Sequence, residues 1–155
     1  MTILSTGTLV IMACLAVGCS SSSGDYGSAT GTTTIDVKQN GGFIAGATRG
    51  VRIVGTTATY DEGSVTEQAT VDTADVAAMI DALEQAKFLD LRGDYTTCSN
   101  RATDLPTVTI SVKLSAGTNT VDHYLGCSGG TFDVLATLDQ HLFELSGFAA
   151  WEAGL

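Results

Sequence analysis

The sequence predicts an α+β domain, an antiparallel β-sheet with two helices packed on one face. Three observations support this prediction. Short segments of alternating polar and apolar residues, separated by turns that contain Gly and Asn, occupy the first half of the domain. Two later segments carry apolar residues at helical spacing. A strand hairpin lies between those helices, so the order is β-β-β-(β)-α-β-β-α, which is typical of a two-layer domain.

The first predicted strands come from period-two alternation, as at Ile35 and Val37, which share one face of their strand. Gly- and Asn-rich positions between the alternating segments predict the turns. The fourth strand has the weakest alternation. The predicted strands are 32–39, 51–54, 57–60 and 65–71, with turns at 40–42, 55–56 and 61–63.

Both helices are predicted from apolar stripes at i, i+3, i+4 and i+7 spacing. Asp72 or Thr73 can cap the first helix, which is expected to end near Lys87. Thr131 is the predicted cap of the second helix, which covers about 132–145 and is followed by a loop-forming Ser-Gly pair. The stripes are Val76, Met79, Ile80 and Leu83 in the first helix and Leu135, Leu138, Leu142 and Leu145 in the second.

A hairpin of residues 107–114 and 119–125 is predicted between the helices, because both segments alternate strictly. A four-residue loop aligns their apolar faces, as a stable register requires. Residues 92–95, before the hairpin, are expected to form a loop. The predicted partners are Val112 with Val121, Ile110 with His123, Val108 with Leu125 and Pro106 with Cys127.

The charge of the chain excludes some partners. The sequence has 17 Asp and Glu against 7 Lys and Arg, all of them after Cys19, and a net charge of −10. An excess of carboxylates disfavours binding to nucleic acid and electrostatic docking on anionic lipid. Two explanations of the acidity stay open, which are solubility and a basic partner.

The N-terminal segment predicts export and attachment to a membrane. An apolar run, Leu9–Val17, is too short to span a bilayer and ends at Gly18-Cys19, after which four serines follow. This pattern resembles the signal peptide and lipobox of a bacterial lipoprotein. The resemblance implies removal of residues 1–18, a lipid on Cys19, and outer-membrane sorting by Ser20 in a Gram-negative cell. A buried N-terminal helix or strand is the alternative.

This resemblance implies three segments. After the signal peptide, 1–18, residues 19–31 are rich in Ser and Gly and are expected to be a flexible linker. Residues 32–155 have a length that suits a single domain.

The cysteine count predicts a disulfide in the domain. With Cys14 in the signal peptide and Cys19 lipidated, Cys98 and Cys127 remain as an even pair in an oxidising compartment. A metal pair or a catalytic thiol is the alternative, but the sequence has no CxxC spacing, and two cysteines do not make a zinc site.

Two partial resemblances extend into the domain. The segments 88–95, 103–106 and 121–127, with Trp151, resemble a family of uncharacterised bacterial envelope lipoprotein domains. Asn40-Gly41-Gly42-Phe43, with Gly46 and Arg49, resembles the start of emfourin-like inhibitors of thermolysin-type metalloproteases, although Ile44 interrupts the usual pattern. The second resemblance implies that Gly41, Gly42 and Phe43 take part in binding.

No combination of residues in the sequence predicts catalysis. His123 is on the apolar face of a strand, where a histidine is usually a core residue. A hydrolase or metal enzyme that uses His123 and Asp122, with Asp139 or His141 as further ligands, is the alternative, but no short ligand motif supports it. The sequence therefore predicts a non-catalytic protein- or peptide-binding module without a cofactor, and the protease inhibitor is a second candidate.

Overall fold

The structure is a computed structural model that describes residues 26–27, 33–42 and 48–154. The predicted signal peptide, Cys19 and Phe43 lie outside the described residues. The described elements, in chain order, are β1 (Thr34–Gly41), β2 (Thr48–Val54), β3 (Thr57–Glu62), β4 (Val65–Thr70), α1 (Thr73–Gln85), a 3₁₀ turn (Phe88–Asp90), β5 (Asp94–Tyr95), β6 (Pro106–Leu114), β7 (Gly117–Tyr124), α2 (Thr131–Leu145) and α3 (Phe148–Glu152).

The strands form one seven-stranded sheet in the order β4-β3-β2-β1-β6-β7-β5. All neighbouring strands are antiparallel except β5 and β7, which are parallel. The two long helices cover one face of this sheet, which confirms the predicted fold class. None of the described helices is long and apolar enough to cross a membrane.

Period-two alternation gives the sheet one buried face and one open face. Ile35, Val37 and Ile110 are fully buried, and their strand neighbours in the register are also apolar. The residues between them point to the opposite face, where Asp36 lies 3.5 Å from Lys38 and 3.8 Å from Arg52. This open face is polar and is not covered by any described element, as is usual for one side of an antiparallel sheet.

The hairpin register differs from the predicted one by two residues. β6 ends at Leu114 and β7 begins at Gly117, so two residues connect the strands instead of four. Ile110 therefore pairs with Val121, and Val108 pairs with His123. A shift of two residues keeps every side chain on its face, so the apolar faces still coincide. Leu125, not Cys127, lies opposite Pro106, whose carbonyl accepts a hydrogen bond from the Leu125 N–H at 3.1 Å.

Several predicted boundaries were also wrong. β1 extends through Asn40 and Gly41, because Asn40 pairs with both β2 and β6 and Gly41 pairs with β6. β3 extends to Glu62. The predicted loop 92–95 contains β5, which pairs with Asp122 and His123 near the end of β7. Thr131 is the first helical residue of α2 and Gly130 is its N-cap, so no side chain caps this helix.

Tyr26 lies in the predicted linker segment and is buried. Only 8% of this residue is exposed, and its hydroxyl accepts a hydrogen bond from the Leu89 N–H at 2.9 Å. Its carbonyl accepts a second bond from the Ser115 hydroxyl at 3.4 Å. Tyr26 therefore packs on the domain near the turn that joins β6 and β7, within the segment expected to be a flexible linker.

An aromatic cluster attaches the C-terminal α3 to the sheet. The Trp151 ring stacks on Tyr60 with centroids 5.2 Å apart, and its indole N–H donates to Glu67 at 2.7 Å. The Tyr60 hydroxyl donates to the Ser146 carbonyl at 2.7 Å. Burial raises the pKa of Tyr60 above its ordinary value, and the nearby Glu67 carboxylate raises it further.

Candidate functional site

The structure places the two predicted catalytic candidates on opposite faces of β7. The Asp122 carboxylate lies on the open face and accepts a hydrogen bond from the Thr109 hydroxyl at 2.6 Å. The His123 side chain points to the helices and is 1% exposed. Adjacent residues of a strand cannot act on one reacting group, because their side chains point in opposite directions.

His123 instead contacts Asp139 of α2. The imidazole Nε2 lies 3.4 Å from the Asp139 Oδ2, and Asp139 is only 4% exposed. Neither atom has a hydrogen-bond partner among the described residues. Asp139 is buried because it follows Leu138 on the apolar side of α2, which faces the sheet. A substrate cannot reach this pair while the core is closed, and the described residues contain no cluster of three or more metal-ligating side chains.

A groove lies at one end of the sheet and contains two of the predicted binding residues. Its volume is about 390 Å³. Two glycine-containing turns and the loop before β6 form its walls, and Leu105 there is 38% exposed. Residues of this sheet-end groove include Gly41, Gly42, Gly63, Asp104, Leu105 and Pro106.

The loop before β6, which lines the sheet-end groove, contains a residue with a left-handed backbone conformation. Asp104 has a φ of +64°, a left-handed value that few residues other than glycine adopt. The Leu105 N–H donates to the Tyr124 hydroxyl at 3.3 Å, and that hydroxyl donates to the Ala102 carbonyl at 2.9 Å. These contacts fix the loop so that the Leu105 side chain reaches solvent.

The disulfide between Cys98 and Cys127 closes this loop. The two Cα atoms are 5.8 Å apart, and 29 positions separate the residues in the sequence. The Ala102 N–H donates to the Gly126 carbonyl at 2.8 Å, beside the disulfide. A Cβ atom at Gly126 would lie 2.4 Å from the Ala102 carbonyl oxygen, so the approach of these two segments requires glycine.

The arginine that lines the sheet-end groove is already paired. The Arg49 guanidinium donates to Gln39 at 2.6 Å and forms an ion pair with Glu152 of α3. On the far side of the disulfide loop, the Thr96 hydroxyl and N–H donate to Asp94 and lower the pKa of that carboxyl below its ordinary value. The groove therefore offers an exposed leucine, backbone groups and the carboxylates of Glu62 and Asp104, and its arginine is not free to bind an anion.

A second and larger groove lies between α1 and α2. Its volume is about 580 Å³, and it opens to solvent. Half-buried alanines of α1 and the buried Leu138 line it, together with Val134, which is 45% exposed. The exposed carboxylates of Asp81 and Asp133 also line this helix groove.

The chain matches the sequence profile of a known family. The sequence profile of a family described as a domain of unknown function (DUF6438) matches residues 32–146. The chain belongs to the DUF6438 family. None of the curated proteins matches the chain.

Most of the candidate residues lie inside the DUF6438 domain, including both cysteines of the disulfide, the buried His123–Asp139 pair and both grooves. Sequence reasoning did not identify Leu105 as an exposed residue, nor did it predict the helix groove. The sequence Asp104-Leu105-Pro106 did indicate a loop at this point, since a proline is typical of the first residue of a strand. The helix groove had no comparable signal, because it depends on how the two helices are placed.

Proposed function

We propose that this chain is a lipid-anchored protein of the bacterial cell envelope, and that its DUF6438 domain binds a protein or peptide without catalysing a reaction. The lipobox pattern that ends at Cys19 supports the anchor, and the sheet-end groove supports the binding role. The single observation that carries the proposal is the position of Tyr26, because it relates the anchor to the groove.

Tyr26 shortens the predicted tether. Only residues 20–25 separate it from Cys19, which gives a reach of at most about 25 Å in a fully extended chain. Tyr26 contacts Ser115, directly after the last residue of β6. A lipid on Cys19 would therefore hold this end of the sheet close to the membrane.

The sheet-end groove is at the opposite end of the same strand. Pro106, the first residue of β6, lines the groove, and the strand has 9 residues. At roughly 3.3 Å per residue, the groove lies about 30 Å from the anchored end. This arrangement directs Leu105 and the glycine turns away from the lipid, where a partner can reach them.

The burial of the catalytic candidates supports the non-catalytic part of the proposal. His123 and Asp139 are enclosed between β7 and α2, and Asp122 is on the other face of the sheet. Both thiols of the domain are joined in the disulfide, which removes them as nucleophiles.

The anchor is tested by replacing Cys19 with Ser in the full chain and labelling cells with an alkyne fatty acid. We expect the wild-type chain to carry the label and to sediment with membranes. The C19S chain should lose the label and should not be processed at residue 18. Unchanged labelling of C19S would overturn the anchor.

The binding role is tested by capture from envelope extracts with the full chain and two matched variants. Leu105→Asn removes an exposed apolar side chain at the groove, and Val54→Asn removes one, 44% exposed, at the other end of the sheet. We expect Leu105→Asn to lose a captured protein that the wild type and Val54→Asn retain. Equal capture by all three chains would contradict a role for the groove.

A protease inhibitor is the second candidate, and the position of Gly41 and Gly42 in the groove supports it. We propose that the emfourin-like segment presents this groove to a thermolysin-type metalloprotease. Titration of thermolysin with the purified chain should then lower peptide hydrolysis, and Leu105→Asn should weaken the inhibition while Val54→Asn does not. Full protease activity at a large excess of the wild-type chain would exclude this candidate and leave the binding role standing.

A further inference from the structure

Apolar side chains at helical spacing line the helix groove. Ala78, Ala82 and Ala86 recur every four residues along one side of α1 and its C-cap. Leu138 and Val134 lie at the same spacing on α2. Rows of residues at i and i+4 form the ridges and grooves through which helices pack, and small side chains let a partner helix approach closely.

The charged residues within α1 and α2 are Asp and Glu, while His141 also lines the helix groove and Lys87 follows the C-cap of α1. Neither helix contains a Lys or Arg between its first and last residue. All the carboxylates of the two helices except the buried Asp139 are at least partly exposed, and Asp81 and Asp133 line the groove itself. The two helices carry Asp75, Asp81, Glu84, Asp133, Asp139 and Glu144.

We propose that the helix groove binds a basic amphipathic helix of a partner protein. The apolar side of that helix would pack on the alanines and on Val134, and its Lys or Arg side chains would pair with Asp81 and Asp133. A second copy of this chain fits poorly, because it would bring like charges together, and an anionic membrane fits poorly for the same reason. This surface is separate from the sheet-end groove, so the inference does not depend on the proposed function.

The test uses the purified full chain and a synthetic 18-residue helical peptide of Leu and Lys, with a scrambled peptide of the same composition as its control. Calorimetric titration should detect binding of the helical peptide that weakens as salt is added. The double variant Asp81→Asn/Asp133→Asn should bind about tenfold more weakly, since it loses two exposed charge pairs. Its matched control, Asp61→Asn/Asp90→Asn, changes the net charge equally at exposed positions outside both grooves and should bind like the wild type.

A second pair of variants tests the apolar contact. Val134→Ser should weaken peptide binding severalfold, whereas Val65→Ser, which alters an equally exposed valine (43%) on β4, should not. All four variants change exposed residues, and a thermal melt checks that each one is folded. Equal affinity for the scrambled peptide, equal effects of the two charge variants, or self-association of the chain in place of peptide binding would each overturn the proposal.

Discussion

At the scale of single residues, His123 and Asp139 have an environment that suits a structural pair. Both are almost fully buried, between β7 and α2, and the 3.4 Å contact between Nε2 and Oδ2 joins the sheet to the helix layer. Removing one member of a buried ionic or polar pair leaves the other without compensation, whereas replacing both by apolar residues often costs little. A structural role for this pair therefore predicts a pattern of unfolding free energies that a catalytic role does not predict.

The prediction is a double-mutant cycle. His123→Leu should lower the free energy of unfolding by about 3–5 kcal/mol, because Asp139 stays buried without its partner. Asp139→Val should cost about 1–3 kcal/mol, and the double variant should be nearly as stable as the wild type. Chemical denaturation measures all three, with His141→Leu on the exposed side of α2 as the control. Additive losses in the double variant would show that the two side chains do not interact.

Tyr60 gives a prediction of pH dependence. Its pKa is raised in the folded state by burial, so the unfolded chain releases the phenolic proton first as pH rises. The contribution of Tyr60 to stability is thus complete below about pH 10, the unfolded pKa, and declines above it. Tyr60→Phe should cost about 1 kcal/mol at pH 7, from the lost bond to the Ser146 carbonyl, and should reduce the alkaline loss of stability.

The matched control for this prediction is Tyr95→Phe, since the Tyr95 hydroxyl has no hydrogen bond to the described residues. Urea melts from pH 7 to pH 11 provide the measurement. An alkaline slope that is identical in the wild type and in Tyr60→Phe would contradict the role given to Tyr60.

At the scale of elements, the sequence predicts the strands and helices that have a clear apolar periodicity. The apolar stripes place α1 and α2 correctly, because Met79 and Leu142 have to face the core. Periodicity leaves the hairpin loop length undetermined, since a shift of two residues keeps Ile110 on the same face. β5 could not be predicted either, because two residues have no periodicity of their own and form a strand only by pairing with β7.

The disulfide that closes the loop with Leu105 gives a prediction about the stability of the domain. The double variant Cys98→Ser/Cys127→Ser should lose about 3–4 kcal/mol of stability, from the closure entropy of a loop of this length. Reduction of the wild type should cause the same loss, and the denatured, unreduced wild type should show no free thiol at these positions. Free thiols, or a double variant that melts like the wild type, would contradict the disulfide.

Tyr26 gives a second prediction at this scale. Tyr26→Ala should lower stability by about 3 kcal/mol, since it removes a buried aromatic ring and the bond to the Leu89 N–H. Tyr26→Phe should lose only the hydrogen bond, at about 1 kcal/mol. Denaturation curves measure both changes. A Tyr26→Ala chain as stable as the wild type would mean that the tether begins beyond Tyr26 and is longer than proposed.

At the scale of the whole molecule, the candidate binding surfaces depend on how distant segments meet. Gly41 and Leu105 are more than 60 positions apart, and only the pairing of β1 with β6 brings their turns together. The acidity of the chain was visible in its composition, but its arrangement around the helix groove depends on the packing of α1 against α2. The sequence predicts a fold and an attachment to a membrane, and the structure adds that Tyr26, seven positions after Cys19, and the sheet-end groove lie at opposite ends of β6.

The most direct test of this account is photo-crosslinking in cells of the native host. A photoreactive phenylalanine analogue replaces Leu105 in one full-length chain and Val54 in another, so that the two probes sit at opposite ends of the sheet. We predict a discrete protein adduct in the membrane fraction from position 105 and no such adduct from position 54. The absence of an adduct at position 105, or the same adduct from both positions, would contradict a membrane-anchored module that binds its partner through the sheet-end groove.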